Sequence, residues 1–325
     1  MKAVVYTQYG PPDVLKLKEV VRPSPKESEV LIEVHAASVN AADWHLMRAD
    51  PFLARFESGL LTPKNPILGN DIAGRVIDIG KNVTLFSPGD EVFGDIFNCG
   101  QGGFAEYVCA DQEALLLKPA SMTFEEAAAV PMAAVTALQG LRDYGNIQPW
   151  QRVLINGASG GVGTFAVQIA KSFDTEVTAV CSTDKMELVR SLGADHVIDY
   201  TKRGFTLNNQ HYDLILAANG NASIWKYKRA LTPSGIFVNS GGTFSQFLRS
   251  MLLGPLVTSF NHQKMGTFLA KPNRDDLAFV KELIEAGKVI PVIDRRYPLS
   301  QVADAVRYLE EGHARGKVII TIMHD

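Results

Sequence analysis

Glycines crowd the segment VLINGASGGVG, residues 153–163, at the point where a short apolar run ends. Ala158, Gly160 and Gly163 have the spacing of a dinucleotide fingerprint, with Ala in place of its first glycine. Such a loop must turn tightly out of a strand, let pyrophosphate reach bare backbone and pack a helix on the sheet, so it needs small residues. We expect pyrophosphate at the positive N-terminus of a helix that begins near Gly161. A glycine-rich turn without a ligand is the alternative.

The end of the next strand selects the dinucleotide. An NAD enzyme usually carries Asp or Glu there, about 20 residues after the glycines, to bind the adenosine ribose hydroxyls. Here the strand ends at Cys181, and Ser182, Thr183, Asp184 and Lys185 follow it. Ser182 can donate a hydrogen bond and Lys185 can supply a charge to a 2′-phosphate, which favours NADPH. Two alternatives stand against this: a solvated Lys185, or an Asp184 that faces the ribose.

The elements that must position these residues change character near residue 120. Residues 1–118 contain short β-rich runs separated by Pro and Gly, which predicts an antiparallel, barrel-like domain. After a helical stretch with Ser121 or Thr123 as candidate N-cap, strands alternate with helices, the pattern of parallel β-α-β units. The predicted strands cover 152–156, 176–181, 196–200, 212–218 and 235–240, with helices at 164–173 and 185–193. We expect a last strand, within residues 317–323, to rejoin the first domain.

Composition limits the classes of function. A chain of 325 residues exceeds one comfortable core, so two domains are expected. Its net charge of −3 provides no basic field for nucleic acid or for an anionic membrane. Cys99, Cys109 and Cys181 are widely spaced, which indicates neither a disulfide framework nor a cysteine zinc site. The sequence has no apolar run of membrane-span length and no signal-type N-terminus, which predicts a soluble, cytoplasmic protein.

Nearly the whole chain resembles the zinc-free quinone oxidoreductase branch of the medium-chain dehydrogenase/reductase superfamily. The stretches that carry the resemblance are ASVNAADW (37–44), LGNDIAGRVIDIG (68–80), NGASGGVGTFAVQIAK (156–171) and YLEEGHARGKVII (308–320). The resemblance implies an α/β fold with a doubly wound parallel Rossmann sheet and a GroES-like β-barrel domain, and a cofactor in the cleft between them. We place the GroES-like catalytic domain at 1–122 and 270–325, and the Rossmann NAD(P)-binding domain at 123–269.

The resemblance also indicates that the usual ligands of a catalytic zinc ion are missing. Zinc-dependent relatives hold catalytic zinc with a Cys in the first stretch and a His in the second, where this chain has Asn40 and Asn70. Neither residue is a usual zinc ligand. Without a Lewis acid, direct alcohol oxidation loses its means of lowering the hydroxyl pKa. We therefore expect no metal, and the reduction of an already electron-poor acceptor.

The resemblance further assigns site residues. It implies that Asn40 lies near the nicotinamide ribose and amide, with Asp71 behind it. Asn40 and Thr136 are the predicted catalytic residues, and Trp44 and His45 are predicted to face the substrate. The predicted cofactor-binding residues are Asn40, Asp71, Thr136, Ala158, Ser159, Gly160, Gly161, Val162, Gly163, Ser182, Lys185, Tyr200, Asn219, Ser240, Gly241, Phe268, Leu269, Gly316 and Lys317. A turn position for Asn40 and a helix hydrogen bond for Thr136 are the structural alternatives.

Together these observations predict an NADPH-dependent reductase of quinones or α,β-unsaturated carbonyls (enones and enals) that uses no zinc. Three other classes stay open. They are a non-catalytic NADPH-binding sensor or structural protein, a zinc alcohol dehydrogenase, which Asn40 and Asn70 argue against, and a reductase module from a polyketide or fatty-acid pathway. We expect a small-molecule substrate, no nucleic-acid partner and no membrane span. The sequence is compatible with a homodimer.

Overall fold

The computed structural model describes residues 1–52, 55–207, 210–219, 222–241 and 262–324. Its contacts divide the chain into two compact units. The first unit contains Met1–Met132, Pro272–Lys281 and Pro291–Asp325, and the second contains Ala133–Lys271 and Glu282–Ile290. Among the helices within the described ranges, none combines the length and the apolar character needed to cross a bilayer.

The elements are numbered in chain order. The strands are β1 (Lys2–Val5), β2 (Lys16–Glu19), β3 (Glu29–Val39), β4 (Asp71–Ile79), β5 (Glu91–Asp95), β6 (Tyr107–Asp111), β7 (Leu115–Leu117), β8 (Arg152–Asn156), β9 (Glu176–Cys181), β10 (His196–Asp199), β11 (Tyr212–Ala217), β12 (Leu231–Asn239), β13 (Lys264–Thr267), β14 (Ile293–Pro298) and β15 (Lys317–Thr321). The helices are α1 (Ala41–Arg48), α2 (Arg55–Ser58), α3 (Phe124–Ala128), α4 (Pro131–Gln139), α5 (Gly161–Ser172), α6 (Met186–Ser191), α7 (Ile224–Ala230), α8 (Arg274–Glu285) and α9 (Val302–Glu310).

Strand β3 organises the sheet of the first unit, whose order is β14-β15-β3-β4-β5-β7, with β6 also paired to β3. Its sequence is rich in β-branched residues, which fit a pleated strand. Val30, Ile32 and Val34 are fully buried in the core, and burial of a side chain of this size contributes about 1.5–3 kcal/mol. Strand β15 pairs antiparallel with β3, with Val318 opposite Val39, which confirms the predicted return of the last strand.

The sheet of the second unit has six strands in the order β10-β9-β8-β11-β12-β13, and every neighbouring pair is parallel. This is the doubly wound Rossmann order, so the predicted fold class is confirmed. The order reverses between β8 and β11, and ligands of such sheets bind outside the carboxyl ends of the strands at this reversal. The glycine loop that follows β8 lies at that position.

Several predicted boundaries were wrong by a few residues. The helix predicted at 164–173 begins at Gly161, because Gly160 has the extended backbone of an N-cap and the glycines after it are helical. The strand predicted at 235–240 begins at Leu231 and ends at Asn239, so Ser240 lies beyond it. The other shortened elements are the strands predicted at 196–200, 212–218 and 317–323 and the helix predicted at 185–193, which end at Asp199, Ala217, Thr321 and Ser191.

Candidate active site

The glycine loop between β8 and α5 has the backbone that a dinucleotide fingerprint requires. Gly157 has φ +81°, and a Cβ there would lie 2.5 Å from the Asn219 carbonyl oxygen, so this turn requires glycine. A Cβ on Gly163 would lie 2.0 Å from the Gly157 carbonyl oxygen, so α5 needs glycine to pack this closely on the loop. A Cβ on Gly160 would meet its nearest atom at 3.6 Å, an ordinary contact. The fold therefore leaves free space beside the Gly160 backbone, which a pyrophosphate needs in order to approach it.

The remaining predicted loop residues lie in the same turn and in the first turn of α5. Ala158 and Ser159 are buried, and the Ala158 N–H donates to the Val180 carbonyl, which ties the loop to the end of β9. Gly161 and Val162 begin α5, a helix of 12 residues. The first-turn N–H groups of such a helix carry partial positive charge, which suits a pyrophosphate.

A polar turn follows β9. Ser182 Oγ donates a hydrogen bond to Asp184 Oδ1 at 2.5 Å, so this carboxylate lies beside Ser182. Lys185 is only 8% exposed, which contradicts the alternative of a solvated lysine. Tyr200 follows β10, donates its N–H to the Cys181 carbonyl and leaves its side chain 60% exposed. The turn thus combines a shielded ammonium and an accessible phenol with one carboxylate.

The residues after β11 and β12 line the same edge of the sheet. The Asn219 N–H donates to the Asn156 carbonyl, and its side chain is exposed. Ser240 Oγ donates to the Ala217 carbonyl at 3.4 Å. A Cβ on Gly241 would lie 2.2 Å from the Ala218 carbonyl oxygen. Gly241 therefore allows the two strand ends to approach closely.

Phe268 is buried rather than open at this edge. Its ring stacks on Tyr144 with 4.4 Å between centroids, and a Cβ on Gly140 would lie 3.2 Å from the same ring. Leu269, the next residue, is exposed. Thr136 is buried within α4. The structure thus gives Phe268 a packing role inside the second unit.

In the first unit, Asn40 and Lys317 meet where β3 ends and β15 begins. Lys317 Nζ donates to Asn40 Oδ1 at 2.5 Å and lies 3.5 Å from Asp71 Oδ2. The other end of this amide, Asn40 Nδ2, donates to Asp71 Oδ2 at 2.9 Å, as does Ser38 Oγ at the same distance. Lys317 is 3% exposed and Asp71 is 0% exposed. The buried ion pair holds the Asn40 amide in one orientation, because an ammonium only donates and a carboxylate only accepts.

A second buried carboxylate, Asp43, lies in the first turn of α1. It accepts hydrogen bonds from Asn40 N at 2.7 Å, Gly69 N at 3.1 Å and Asn70 Nδ2 at 3.0 Å. Burial raises the pKa of Asp43 to about 7. Sequence reasoning missed this residue, although Asn40 and Asp43 have the N-cap to N3 spacing of a capping box.

Burial shifts the pKa values of the charged groups in this cluster. Burial lowers the pKa of the Lys317 ammonium, against the opposing effect of Asp71. On β5, Asp95 pairs in register with Asp71, and burial together with that neighbouring carboxylate raises the pKa of Asp95. The cluster thus places one ammonium among three carboxyl groups. Two of those groups, Asp43 and Asp95, hold protons more readily than usual.

The predicted substrate-facing residues stack on each other. The rings of Trp44 and His45 lie 3.6 Å apart between centroids. His45 Nδ1 donates to the Asp50 carbonyl at 2.6 Å, since a carbonyl can only accept. Burial lowers the pKa of His45, so the ring is neutral near neutral pH and its one N–H is engaged. This geometry gives His45 a structural role rather than that of a proton donor.

The turn before β15 is also constrained. Gly316 has φ +114°, and a Cβ there would lie 2.3 Å from the Val292 carbonyl oxygen, so the turn requires glycine. It sets Lys317 at the first position of β15, where the strand pairing brings it to Asn40. Among the predicted residues, Asn40, Asp71 and Lys317 are therefore joined in one network in the first unit. The glycine-loop residues form a separate group in the second.

Comparison with known proteins places this chain in a family. An alcohol dehydrogenase GroES-like domain model matches residues 26–120, and a zinc-binding dehydrogenase model matches 192–320. The chain is 35% identical to the bovine (Bos taurus) NAD(P)H oxidoreductase RTN4IP1, mitochondrial, over 99% of this chain and 89% of that one. It is 36% identical to 2-methylene-furan-3-one reductase of Solanum lycopersicum, over 98% and 79%. The quinone oxidoreductase structure from Coxiella burnetii matches with a TM-score of 0.88, 30% identity and 99% of each chain covered. The chain belongs to the quinone oxidoreductase branch of the medium-chain dehydrogenase/reductase superfamily.

By the resemblance, Asn40 and Asn70 stand where zinc-dependent members hold their metal. The side-chain nitrogen of each donates to a buried carboxylate, Asn40 Nδ2 to Asp71 and Asn70 Nδ2 to Asp43. The Asn40 oxygen accepts from the Lys317 ammonium at 2.5 Å. Lys317 and Asp71 thus form a buried, hydrogen-bonded ion pair, and Asp43 and Asp95 lie in the same cluster.

Proposed function

We propose that this protein reduces quinones or α,β-unsaturated carbonyls with NADPH and without a catalytic metal. The network of Lys317, Asn40 and Asp71 is the observation that carries this proposal. The buried ammonium supplies the positive charge of the site and is held by a carboxylate and an amide. A divalent cation at the same place would meet the like charge of Lys317 and two amide side chains, and the Asp71 and Asp43 carboxylates there are already engaged by these groups.

The residues of the glycine loop suit a dinucleotide. Gly160 leaves its backbone open, and the N-terminus of α5 lies beside it. A bound nicotinamide cofactor would supply the hydride. The names of the relatives agree with reduction by a nicotinamide cofactor. One is an NAD(P)H oxidoreductase, one a furanone reductase and one a quinone oxidoreductase.

The class of hydride acceptor is inferred from the hydrogen-bond donors of the first unit. An electron-poor quinone or enone needs to be oriented, and needs hydrogen-bond donors where negative charge develops on its oxygen. Asn40 is held by bonds at both ends of its amide, which suits it to orient a neighbour, and Lys317 is a buried donor with a positive charge. By the superfamily resemblance, Asn40 and Thr136 are the proposed catalytic residues.

The preference for NADPH rests on the turn after β9. Lys185 is shielded from solvent, so its charge acts in a medium where it is less screened than on the surface. Tyr200 is exposed beyond β10 and can contact a 2′-phosphate. The Asp184 carboxylate opposes a phosphate, and it also takes the one proton that Ser182 Oγ can donate. We propose that the lysine outweighs this carboxylate.

The direct test is the oxidation of NADPH and of NADH by a panel of quinones and enones, with protein dialysed against a chelator. We expect turnover with NADPH that persists after chelation. An Asn40→Ala variant should lose turnover, and the matched control Asn82→Ala, an exposed amide of the same unit, should keep it. Tight NADPH binding without turnover would support the non-catalytic alternative. A preference for NADH would contradict the cofactor assignment. Loss of turnover on chelation, restored by zinc while circular dichroism shows an unchanged fold throughout, would contradict the metal-free assignment.

The predicted cytoplasmic location and homodimer stay predictions. Fractionation of the source cells tests the first, and light scattering of the purified chain tests the second.

A further inference from the structure

A cluster of metal-ligating side chains lies on the first unit away from the Asn40 network. Glu33 and His35 are two residues apart on β3, so their side chains share one face of the strand. The Ile322 N–H donates to the His35 carbonyl at 3.0 Å, so the chain end follows β3 beyond β15. This path brings His324 beside Glu33, from a sequence distance of almost 300 residues.

The ligand atoms of the three side chains have nearly the separations of a zinc site. His35 Nε2 lies 3.4 Å from Glu33 Oε2, and His324 Nδ1 lies 3.8 Å from Glu33 Oε1. All three ligand atoms fall within 4.8 Å of one another. A tetrahedral zinc ion with bonds of about 2.1 Å holds its ligands about 3.4 Å apart. Small side-chain rotations would therefore bring the three residues around one ion.

The hydrogen bonds of the two histidines leave the required nitrogens available. His324 Nε2 donates to the Val34 carbonyl at 2.9 Å, which makes Nδ1 the nitrogen with the lone pair, and Nδ1 faces Glu33. Metal-bound histidines commonly donate their other N–H to a carbonyl in this way. His35 Nε2 is shielded from solvent and makes no hydrogen bond to any residue that the structure describes. Its ring is held by stacking on Phe124, with 4.3 Å between centroids.

The electrostatics also favour a cation. Glu33 provides one net negative charge to the cluster, and its carboxylate accepts from Tyr107 Oη at 3.4 Å. The nearby cation Arg75 is paired with Glu91 at 3.1 Å, so its charge is largely compensated.

We propose that Glu33, His35 and His324 bind one divalent transition-metal ion, with Zn²⁺ as the preferred occupant and water at the fourth position. Two imidazoles and one carboxylate are ligands that suit zinc and do not suit magnesium or calcium, which prefer oxygen. Solvent reaches His324 through a cavity of about 270 Å³, whose lining residues are Met1, Lys2, Glu19, Glu106, Tyr107 and His324. The ion would hold the chain end on β3.

This site is independent of the proposed reductase chemistry. Asn40 lies five positions after His35, a distance of about 16 Å along a strand. The ion therefore holds structure and takes no part in hydride transfer. The closing experiment measures metal binding without any turnover, so its failure would leave the proposed function untouched.

The test titrates the untagged, chelator-treated chain with Zn²⁺ by calorimetry and follows Co²⁺ by its visible ligand-field bands. We expect one equivalent of Zn²⁺, a four-coordinate Co²⁺ spectrum, a higher melting temperature with zinc and no binding of Mg²⁺. His324→Ala and Glu33→Gln should each weaken Zn²⁺ binding at least tenfold. His324→Ala lies at the chain end and should fold normally. The matched control is His196→Ala, which removes an exposed histidine paired with Glu176 at 2.8 Å and should leave binding unchanged.

Three results would overturn the proposal. The first is the absence of a stoichiometric Zn²⁺ equivalent in the wild type. The second is unchanged affinity in both His324→Ala and Glu33→Gln, which would place any bound zinc elsewhere. The third is an equal loss of binding in His196→Ala, which would mean that exposed histidines bind zinc without a built site.

Discussion

Lys317→Met tests whether the buried ammonium is required by its neighbours. The substitution keeps the length and the burial of the side chain but removes its charge. It leaves the Asp71 carboxylate, which has no exposed surface, with neutral donors alone: Ser38 Oγ, Asn40 Nδ2 and Met132 N. Breaking a buried ion pair by removing one partner costs about 3–5 kcal/mol, because the remaining charge is uncompensated. We expect a loss of this size in the free energy of unfolding of the first unit.

A double-mutant cycle separates the pairing of charges from other losses. Asp71→Asn should cost about 3–5 kcal/mol by the same reasoning, since it leaves Lys317 unpaired. The double variant removes both charges together, so it should lose about as much as either single variant. The coupling free energy should then equal one single loss, about 3–5 kcal/mol. Lys81→Met is the matched control, because Lys81 pairs with Glu27 at 2.6 Å on the surface and should lose less than about 1 kcal/mol.

The assay is urea unfolding followed by tryptophan fluorescence. Trp44 belongs to the first unit, and Trp150 and Trp225 belong to the second and are exposed. Replacement of the latter two by Phe makes Trp44 the single reporter of the first unit. Two results would refute the buried ion pair. One is a loss of less than about 1 kcal/mol in Lys317→Met. The other is a double variant whose loss equals the sum of the two single losses within about 0.5 kcal/mol.

Three further substitutions test the other parts of the site. Gly160→Ala should leave the melting temperature nearly unchanged and weaken NADPH binding at least tenfold. Gly163→Ala should lower the melting temperature, because a Cβ on Gly163, unlike one on Gly160, would clash with backbone atoms of the fold. Equal effects of both on stability, measured by calorimetry, would contradict this. Lys185→Ala should weaken NADPH binding about 10- to 100-fold and spare NADH, since a charge-assisted hydrogen bond contributes about 1.5–3 kcal/mol; an equal change for both cofactors would contradict it. The stability of the wild type relative to Asp43→Asn should fall by about 3 kcal/mol as pH rises from about 4 to about 7, because folded Asp43 keeps a proton that the unfolded carboxyl has released. Urea unfolding across this pH range measures the difference, and a constant difference would count against the raised pKa.

Much of the second unit could be predicted from sequence, because its signals are local. The strands at 152–156 and 176–181 have the bounds that their apolar runs indicate. The glycine loop is specified by steric demands within a few residues, as the close contacts of Gly157 and Gly163 show. Predicted helix boundaries were wrong where a residue type, such as glycine, occurs in both loops and helices. Gly161 is an example, since it lies outside the apolar helical run at 164–173 but within α5, as the expected helix start near Gly161 indicated.

The candidate site of the first unit could be named only in part. Asn40, Asp71 and Lys317 were reached through resemblance, and their mutual hydrogen bonds were not predicted. Asp43 was missed because an acidic residue three positions after Asn40 reads as an exposed helix start. Its raised pKa depends on complete burial, which the packing of the whole unit produces.

The sequence by itself determined the class of fold and the glycine loop, because each is expressed by residue types at short spacing. The positions of Asn40 and Asn70 acquired a meaning only through the family resemblance. The tertiary structure decided which distant residues meet. Lys317 reaches Asn40 across 277 positions because β15 pairs with β3, and the same pairing carries His324 to Glu33. Such contacts depend on strand register and on burial, which sum the packing of many residues and have no local signature in the chain.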